Sequence, residues 1–83
     1  MSHTPHELAD EFPQDRDLIH SLKQENAHFA RLAEEYHTVN RTIHRIESET
    51  EAASDERSEE LKKQRLALAD ELSAILAKAR TPA

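Results

Sequence analysis

The 83-residue sequence contains no cysteine and no glycine, and only three of its residues are aromatic. Without cysteine there is no thiol nucleophile, no thiolate metal ligand and no disulfide, and the redox compartment is left open. The sequence also lacks a phosphate-binding loop and a nucleophile motif. It is instead rich in helix-forming types, and 34% of its residues are charged. This composition is typical of long helices or coiled coils rather than of sheets.

Long apolar runs, which mark membrane spans, are also missing from the sequence. No segment approaches the ~18 uninterrupted apolar residues of a spanning helix. The N-terminus MSHTPHELADEF has neither the basic start nor the apolar stretch of a signal peptide. We therefore expect a cytoplasmic protein that does not associate with membranes. The net charge of −6 argues against broad affinity for nucleic acids or anionic lipids.

Three prolines divide the chain into helical segments. Thr4 suits an N-cap and Pro5 the first helical position, with Glu7 completing a capping box, so we expect a short helix over about residues 5–11. Pro13 disfavours helix at the residue before it and opens the next helix. The remaining expected elements are a long helix over about residues 14–49, a turn over about 50–54 and a second helix over about 55–79.

Apolar residues between positions 14 and 49 recur every three or four residues for four heptads, and only the seam position at Glu25 fails. This repeat indicates a long helix buried along one narrow stripe. The second helix carries a matching stripe, and a short connection between two long helices favours an antiparallel hairpin. The predicted fold is therefore all-α: an antiparallel, coiled-coil-like helical hairpin with a short N-terminal helix. Its predicted core comprises Phe29, Leu32, Tyr36, Val39, Ile43, Ile46, Leu61, Leu68, Leu72 and Ile75.

The two helices of this hairpin are unequal in length, because the second reaches back only to about residue 24 of the first. The apolar residues before that point therefore have no partner within the hairpin. Either the N-terminal helix folds back over them with Leu8 and Phe12, or a second chain covers them. Unburied apolar stripes find partners, so we expect a homo-oligomer, a dimer or larger. The candidate self-association residues are Leu18, Ile19, Leu22 and Leu66, the last of which points away from the main stripe.

The six histidines are the most suggestive chemical feature, but their spacing does not predict a metal site. His37 and His44 are about two helical turns apart, and no pair has the four-residue spacing of a helical zinc site. We interpret the six histidines as solvated residues on helix surfaces, with pH sensing as the alternative. Adjacent carboxylates such as Glu34 and Glu35 diverge on a helix, and a hairpin of this composition suggests no pocket. We therefore expect no metal, no cofactor and no enzymatic activity.

A polar face remains once the core is assigned. It is where we expect an unidentified protein partner to dock, and it comprises His37, Asn40, Arg41, His44, Arg45, Lys62 and Lys63. The alternative is a small nucleic-acid-associated regulator that uses a basic belt of Arg31, Arg41, Arg45, Lys62, Lys63 and Arg65. Nucleic acid is the less favoured partner, because the hairpin tip beside this belt is strongly acidic and would repel phosphate.

Several runs together resemble a known family along nearly the whole chain. In the first half they are DLIHSLK (17–23), AHFARL (27–32), EYH (35–37), VNR (39–41) and IHRIE (43–47); in the second half they are SD (54–55), ELKKQRL (60–66), DEL (70–72) and IL (75–76). This combination is similar to the YdcH-like family of small bacterial proteins of unknown function. The resemblance implies a small, helical, bacterial cytoplasmic protein, and it implies no activity and no catalytic residues.

Overall fold

The computed structural model describes residues 7–49 and 52–80, and within these ranges all the regular structure is helical. The elements are α1 (Leu8–Glu11), a 3-10 turn (Pro13–Asp15), α2 (Arg16–Glu25), α3 (Ala27–Glu47) and α4 (Asp55–Arg80). The two long helices, α3 and α4, pack against each other and run in opposite directions. The predicted all-α fold class is confirmed.

The predicted single helix over residues 14–49 is wrong, because the chain breaks at Asn26. Asn26 has extended backbone angles, φ −127° and ψ 103°, and separates α2 from α3. Its N–H closes α2 on the carbonyl of Leu22, and its side-chain oxygen accepts a hydrogen bond of 3.0 Å from the N–H of Phe29. Asparagine favours such N-cap geometry over a helix interior, since its side chain satisfies a backbone donor that would otherwise lack a partner.

This break turns α2 back onto α3 and lets the N-terminal segment complete the core. Leu8 and Ile19 are buried in one cluster with the residues of α3 and α4. Phe12, Leu18 and Leu22 are partly buried against the same cluster. The N-terminal cover is therefore present within one chain, and the prediction that Ile19 is available for self-association is wrong, because only 4% of it is exposed.

The N-terminal helix is shorter than expected. It begins at Leu8, after Glu7 at the N-cap position, and the side chain of Glu7 makes no capping bond. Thr4 and Pro5, on which the predicted start rests, lie outside the described residues. Phe12 ends the helix with φ −128° and ψ 64°, away from the helical region, as expected for the residue before a proline.

The hairpin tip is built without glycine. Glu49 takes a left-handed conformation, φ 63°, which is the conformation that glycine usually supplies after a helix. On the other side of the tip, the hydroxyl of Ser54 accepts a hydrogen bond of 3.1 Å from the N–H of Arg57 and caps α4. Residues 50 and 51 of the predicted turn lie outside the described residues.

The cap at Asn26 leads to a testable prediction about stability. Replacing Asn26 with alanine removes the acceptor for the Phe29 N–H, so we expect the free energy of unfolding to fall by about 1 kcal/mol in urea denaturation. Asn26→Asp keeps a side-chain acceptor and should stay close to wild type. Equal losses in the two variants would contradict the capping role.

Candidate functional site

The predicted hairpin core is mostly, but not uniformly, buried. Six of its residues are almost fully covered: Phe29, Leu32, Tyr36, Ile43, Leu61 and Leu72. The other four are partly exposed: Val39, Ile46, Leu68 and Ile75. Leu76 and Ala33 are also buried, although neither belongs to the predicted set. Both lie beside the predicted stripe. The hairpin is also covered by α1 and α2, so its buried face is wider than the stripe.

Asn40 is the first of the predicted partner-face residues that the structure places elsewhere. It lies four residues after Tyr36 on the same face of α3 and is 1% exposed. Its side-chain oxygen accepts a hydrogen bond of 2.9 Å from the guanidinium Nη1 of Arg65 on α4. The prediction that Asn40 belongs to an exposed partner face is wrong, because its amide lies between the two long helices, where a buried polar group needs a hydrogen-bond partner.

Tyr36 lies beside this contact and is 2% exposed. The pKa of its hydroxyl is raised to about 12, chiefly by burial and also by the nearby carboxylate of Glu11, while the positive charge of Arg65 opposes both. The deprotonated phenolate is therefore disfavoured in the folded chain. Together, Tyr36, Asn40 and Arg65 form a polar cluster at the place where α1, α3 and α4 meet.

His37 attaches α1 to α3. Its Nδ1 lies 2.7 Å from the Oε2 of Glu7. A carboxylate can only accept, so Nδ1–H of His37 is the donor. The same Glu7 carboxylate lies close enough to Tyr36 to contribute to its raised pKa. The side chain of His37 is therefore engaged within the chain, although 47% of it remains exposed.

The remaining partner-face residues divide into bonded and open side chains. Arg45 donates from Nη2 to the hydroxyl of Thr42 at 3.1 Å, and the ammonium of Lys62 lies 3.8 Å from Glu47. Both are contacts between exposed groups and contribute little stability. The residues of the predicted face that no such contact engages are Arg41 and Lys63, which are exposed, and His44, which is half-buried.

A second polar contact lies at the end of the hairpin away from its tip. The carboxylate of Asp15 is almost fully buried, and its Oδ1 lies 3.6 Å from the Nε of Arg80. Asp15 follows Pro13 in the 3-10 turn, whereas Arg80 lies at the end of α4. Their pairing joins the N-terminal segment to the last turn of α4, so its role is structural.

An open groove runs between the two long helices. It has a volume of about 630 Å³ and is lined by Arg31, Glu34, Glu35, Thr38, Val39, Gln64, Ala67 and Leu68. All of these belong to α3 and α4, so the groove accounts for the partial exposure of Val39 and Leu68. A smaller cavity of about 330 Å³ on the other flank of α4 is lined by Leu66 together with Phe12, Ala69 and charged neighbours.

Leu66 is the one large hydrophobic side chain that is exposed in the part of the chain that the structure describes, and 64% of it is accessible. Leu18, Ile19 and Leu22, the other three candidates for self-association, pack into or against the core of the single chain. The four predicted residues therefore do not form one surface, and Leu66 is left as the exposed member.

The described residues contain neither a cluster of metal ligands nor a helix that could span a membrane. Over residues 7–49 and 52–80, no three histidine, aspartate or glutamate side chains lie close enough together to hold a metal ion. No helix in the same ranges is both long and apolar enough to cross a membrane. His3 and His6, which form the one closely spaced histidine pair of the sequence, lie outside the described residues.

Comparison with known proteins gives one match. A family model described as "Protein of unknown function (DUF465)" matches residues 29–76, more than half of the chain. These residues span nearly all of α3 and most of α4, so the matched part is the hairpin, and α1 and α2 precede it. No curated protein and no solved structure matches the chain.

The buried tyrosine makes a pH-dependent prediction. The chain has one tyrosine and no tryptophan, so absorbance at 295 nm follows Tyr36 alone. We expect a midpoint near pH 12 in the folded protein and near pH 10 after unfolding in guanidinium, about the ordinary value. The raised pKa means that the unfolded chain loses its proton first. The raised pKa of Tyr36 therefore stabilises the folded state by roughly 2–3 kcal/mol. This contribution is fully present below about pH 10 and is lost as pH rises towards 12. A folded-state midpoint near 10 would contradict the burial of the hydroxyl.

The polar contact between the long helices can be tested by a double-mutant cycle. Asn40→Ala leaves the guanidinium of Arg65 without this acceptor, so we expect the free energy of unfolding to fall by about 1–3 kcal/mol. In Asn40→Ala/Arg65→Leu the loss should be smaller than the sum of the two single losses, because both partners of the bond are absent. Strictly additive losses would show that the two side chains do not interact.

Proposed function

Because the chain belongs to the family described as "Protein of unknown function (DUF465)", we propose a function from its surface: a small, non-enzymatic helical interaction protein that self-associates. The observation that carries this proposal is the exposure of Leu66 at the side of a helix whose other large apolar residues are buried or partly buried. An exposed leucine with cavities on both flanks of its helix is the kind of surface that another helix covers.

The energy of this contact fits a reversible association. Burying a leucine side chain stabilises a complex by about 1.5–3 kcal/mol, and in a symmetric dimer the residue contributes twice. Part of that is offset by the entropy lost on association. The proposed assembly therefore depends on protein concentration, and the folded single chain, with its own covered core, persists when it dissociates.

The absence of enzymatic activity is the second part of the proposal. It is supported by where the interior polar groups lie. Tyr36, Asn40 and Arg65 are held at helix contacts, and Asp15 pairs with Arg80 at the other end. Tyr36 and Arg65 also line the cavity of about 330 Å³ beside Leu66, but Asn40 and Asp15 do not, so these groups connect helices rather than converge on one substrate site. Consistent with this, the cavities lie in open grooves between exposed helix faces.

The last part of the proposal concerns the cellular location and the bacterial origin of the protein. The resemblance to the YdcH-like family supports a bacterial cytoplasmic protein, and the family match to residues 29–76 is compatible with that naming. An additional protein partner would contact Arg41, which is exposed, and the partly buried His44 beside it, because both belong to the polar face of α3.

The alternative, a nucleic-acid-associated regulator, receives less support. Of the basic belt on which it depends, Arg65 is turned inward to Asn40 and Lys62 lies near the carboxylate of Glu47. The belt is therefore interrupted rather than continuous. A surface that binds along a nucleic-acid backbone needs several cationic side chains that face the phosphates together. The interrupted belt therefore favours the self-associating protein over this alternative.

The proposal predicts the effect of changing the exposed leucine. We expect the wild-type chain to show concentration-dependent self-association in sedimentation equilibrium, and Leu66→Gln to raise the dissociation constant at least tenfold, since both copies lose an apolar contact. Leu66→Met keeps an apolar side chain of similar size with good helix propensity and should associate nearly as wild type does. At protein concentrations low enough for the wild type to be monomeric, both variants should unfold at the wild-type urea concentration, because the residue is exposed in the single chain.

Two results would overturn this function. One is a wild-type chain that stays monomeric at several hundred micromolar. The other is a Leu66→Gln variant that associates as tightly as Leu66→Met, because the exposed leucine would then have no part in the assembly.

A further inference from the structure

The outer side of α4 carries a short, regular surface pattern. Lys63, Leu66, Ala67, Asp70 and Ala74 follow one another at intervals of three, one, three and four residues, and all are exposed. Residues three, four and seven apart share one side of a helix, so Lys63, Asp70 and Ala74 lie along the middle of this side, and the adjacent residues Leu66 and Ala67, about 100° apart, lie towards its two edges. The opposite side of α4 carries Leu61, Leu72 and Leu76, which are buried in the fold. We call the first set the outer face of α4.

We propose that two copies of this chain associate antiparallel along the outer face of α4, with a two-fold axis passing between Leu66 and Ala67. This proposal rests on the self-association proposed above and adds the surface and the orientation. The axis brings Leu66 of each copy to the level of Ala67 of the other and beside the second Leu66, and the small alanine side chains leave room for the two leucines. The outer face then buries its exposed leucine against a copy of itself, as an isologous dimer requires.

The charges beside the leucine fit this arrangement. Lys63 and Asp70 lie at equal distances on either side of the axis, so each lysine faces the aspartate of the second copy. Two opposite-charge pairs form, one on each side of Leu66. Moving the axis by half a heptad in either direction would place Lys63 against Lys63, or Asp70 against Asp70. Like-charge juxtaposition disfavours both alternatives, so the charges select one register.

The ends of α4 support the same axis. The first turn is acidic, with Asp55 and Glu56, and the last turn is basic, with Lys78 and Arg80. In the antiparallel pair, Asp55 of one copy lies at the level of Lys78 of the other, and the helix dipoles oppose each other favourably. A parallel pair would bring acidic turn beside acidic turn. The central and the terminal charges therefore indicate one orientation from independent positions.

A charge-exchange experiment tests the orientation by sedimentation equilibrium. Lys63→Asp places like charges across the axis, and so does Asp70→Lys, so we expect each variant alone to dissociate at least tenfold more readily than wild type. An equimolar mixture of the two should form a heterodimer, because each site then holds opposite charges again. Lys63→Asp/Asp70→Lys should recover self-association for the same reason. Lys23→Asp, which makes the same charge change at an exposed position of α2, is the matched control and should associate as wild type does.

Cross-linking provides a second measurement, which is clean because the chain has no cysteine of its own. Ala67→Cys lies next to the axis and should form an intermolecular disulfide under mild oxidation. Ala74→Cys lies one heptad further along the same face, where the antiparallel pair separates the two copies of the residue by roughly 22 Å along the helix axis. It should not cross-link, whereas a parallel pair would cross-link both variants.

The outcomes separate this inference from the function on which it rests. If the wild type self-associates through Leu66 but the mixed charge variants do not recover, or Ala74→Cys cross-links as readily as Ala67→Cys, the antiparallel register is wrong and the proposed function stands. If the wild type does not self-associate at all, both fail. Recovery in the mixture together with selective cross-linking of Ala67→Cys would establish the arrangement.

Discussion

The N-cap at Asn26 is the constraint on which the rest of this structure depends. A helix that continued through this position would carry Leu18, Ile19 and Leu22 past the end of α4, where α4 could not cover them. Asn26 closes α2 with its backbone N–H and starts α3 with its side-chain oxygen, and the change of direction makes an overhanging apolar stripe part of a common core. The lack of glycine does not prevent this turn, because extended backbone angles are open to any residue.

The second determinant is a small polar interior, not further apolar packing. Asn40 and Arg65 fix where α4 lies along α3, because an amide and a guanidinium bond well at only one register, whereas apolar residues tolerate sliding. Glu7 and His37 hold α1 to the same helix, and Asp15 and Arg80 close the far end. Charged and polar residues thus specify the arrangement of helices that apolar residues stabilise.

The sequence predicts the hairpin well and its N-terminal part less well, for reasons that can be named. A heptad stripe repeated along α3 and α4 is a signal summed over many residues, so Phe29, Leu61 and Leu72 are assigned correctly to the interior. The break depends on the local competition between a helix interior and a cap at one asparagine, although the failed seam position at Glu25 marks the place. Asn40 is missed because its burial requires Arg65, a partner 25 residues away that no local pattern reveals.

The same change of direction that completes the core also limits how the chain can assemble. With α2 folded back, three of the four apolar candidates are covered, and the remaining exposed surface has Leu66 as its one large apolar side chain within the described residues. One leucine per copy cannot by itself impose an orientation, because the hydrophobic effect is non-directional. Charges that flank it can do so, since their pairing depends on which neighbour they meet. The proposed assembly is therefore weak in energy but defined in register, so the proposal implies an association that depends on protein concentration and on ionic strength.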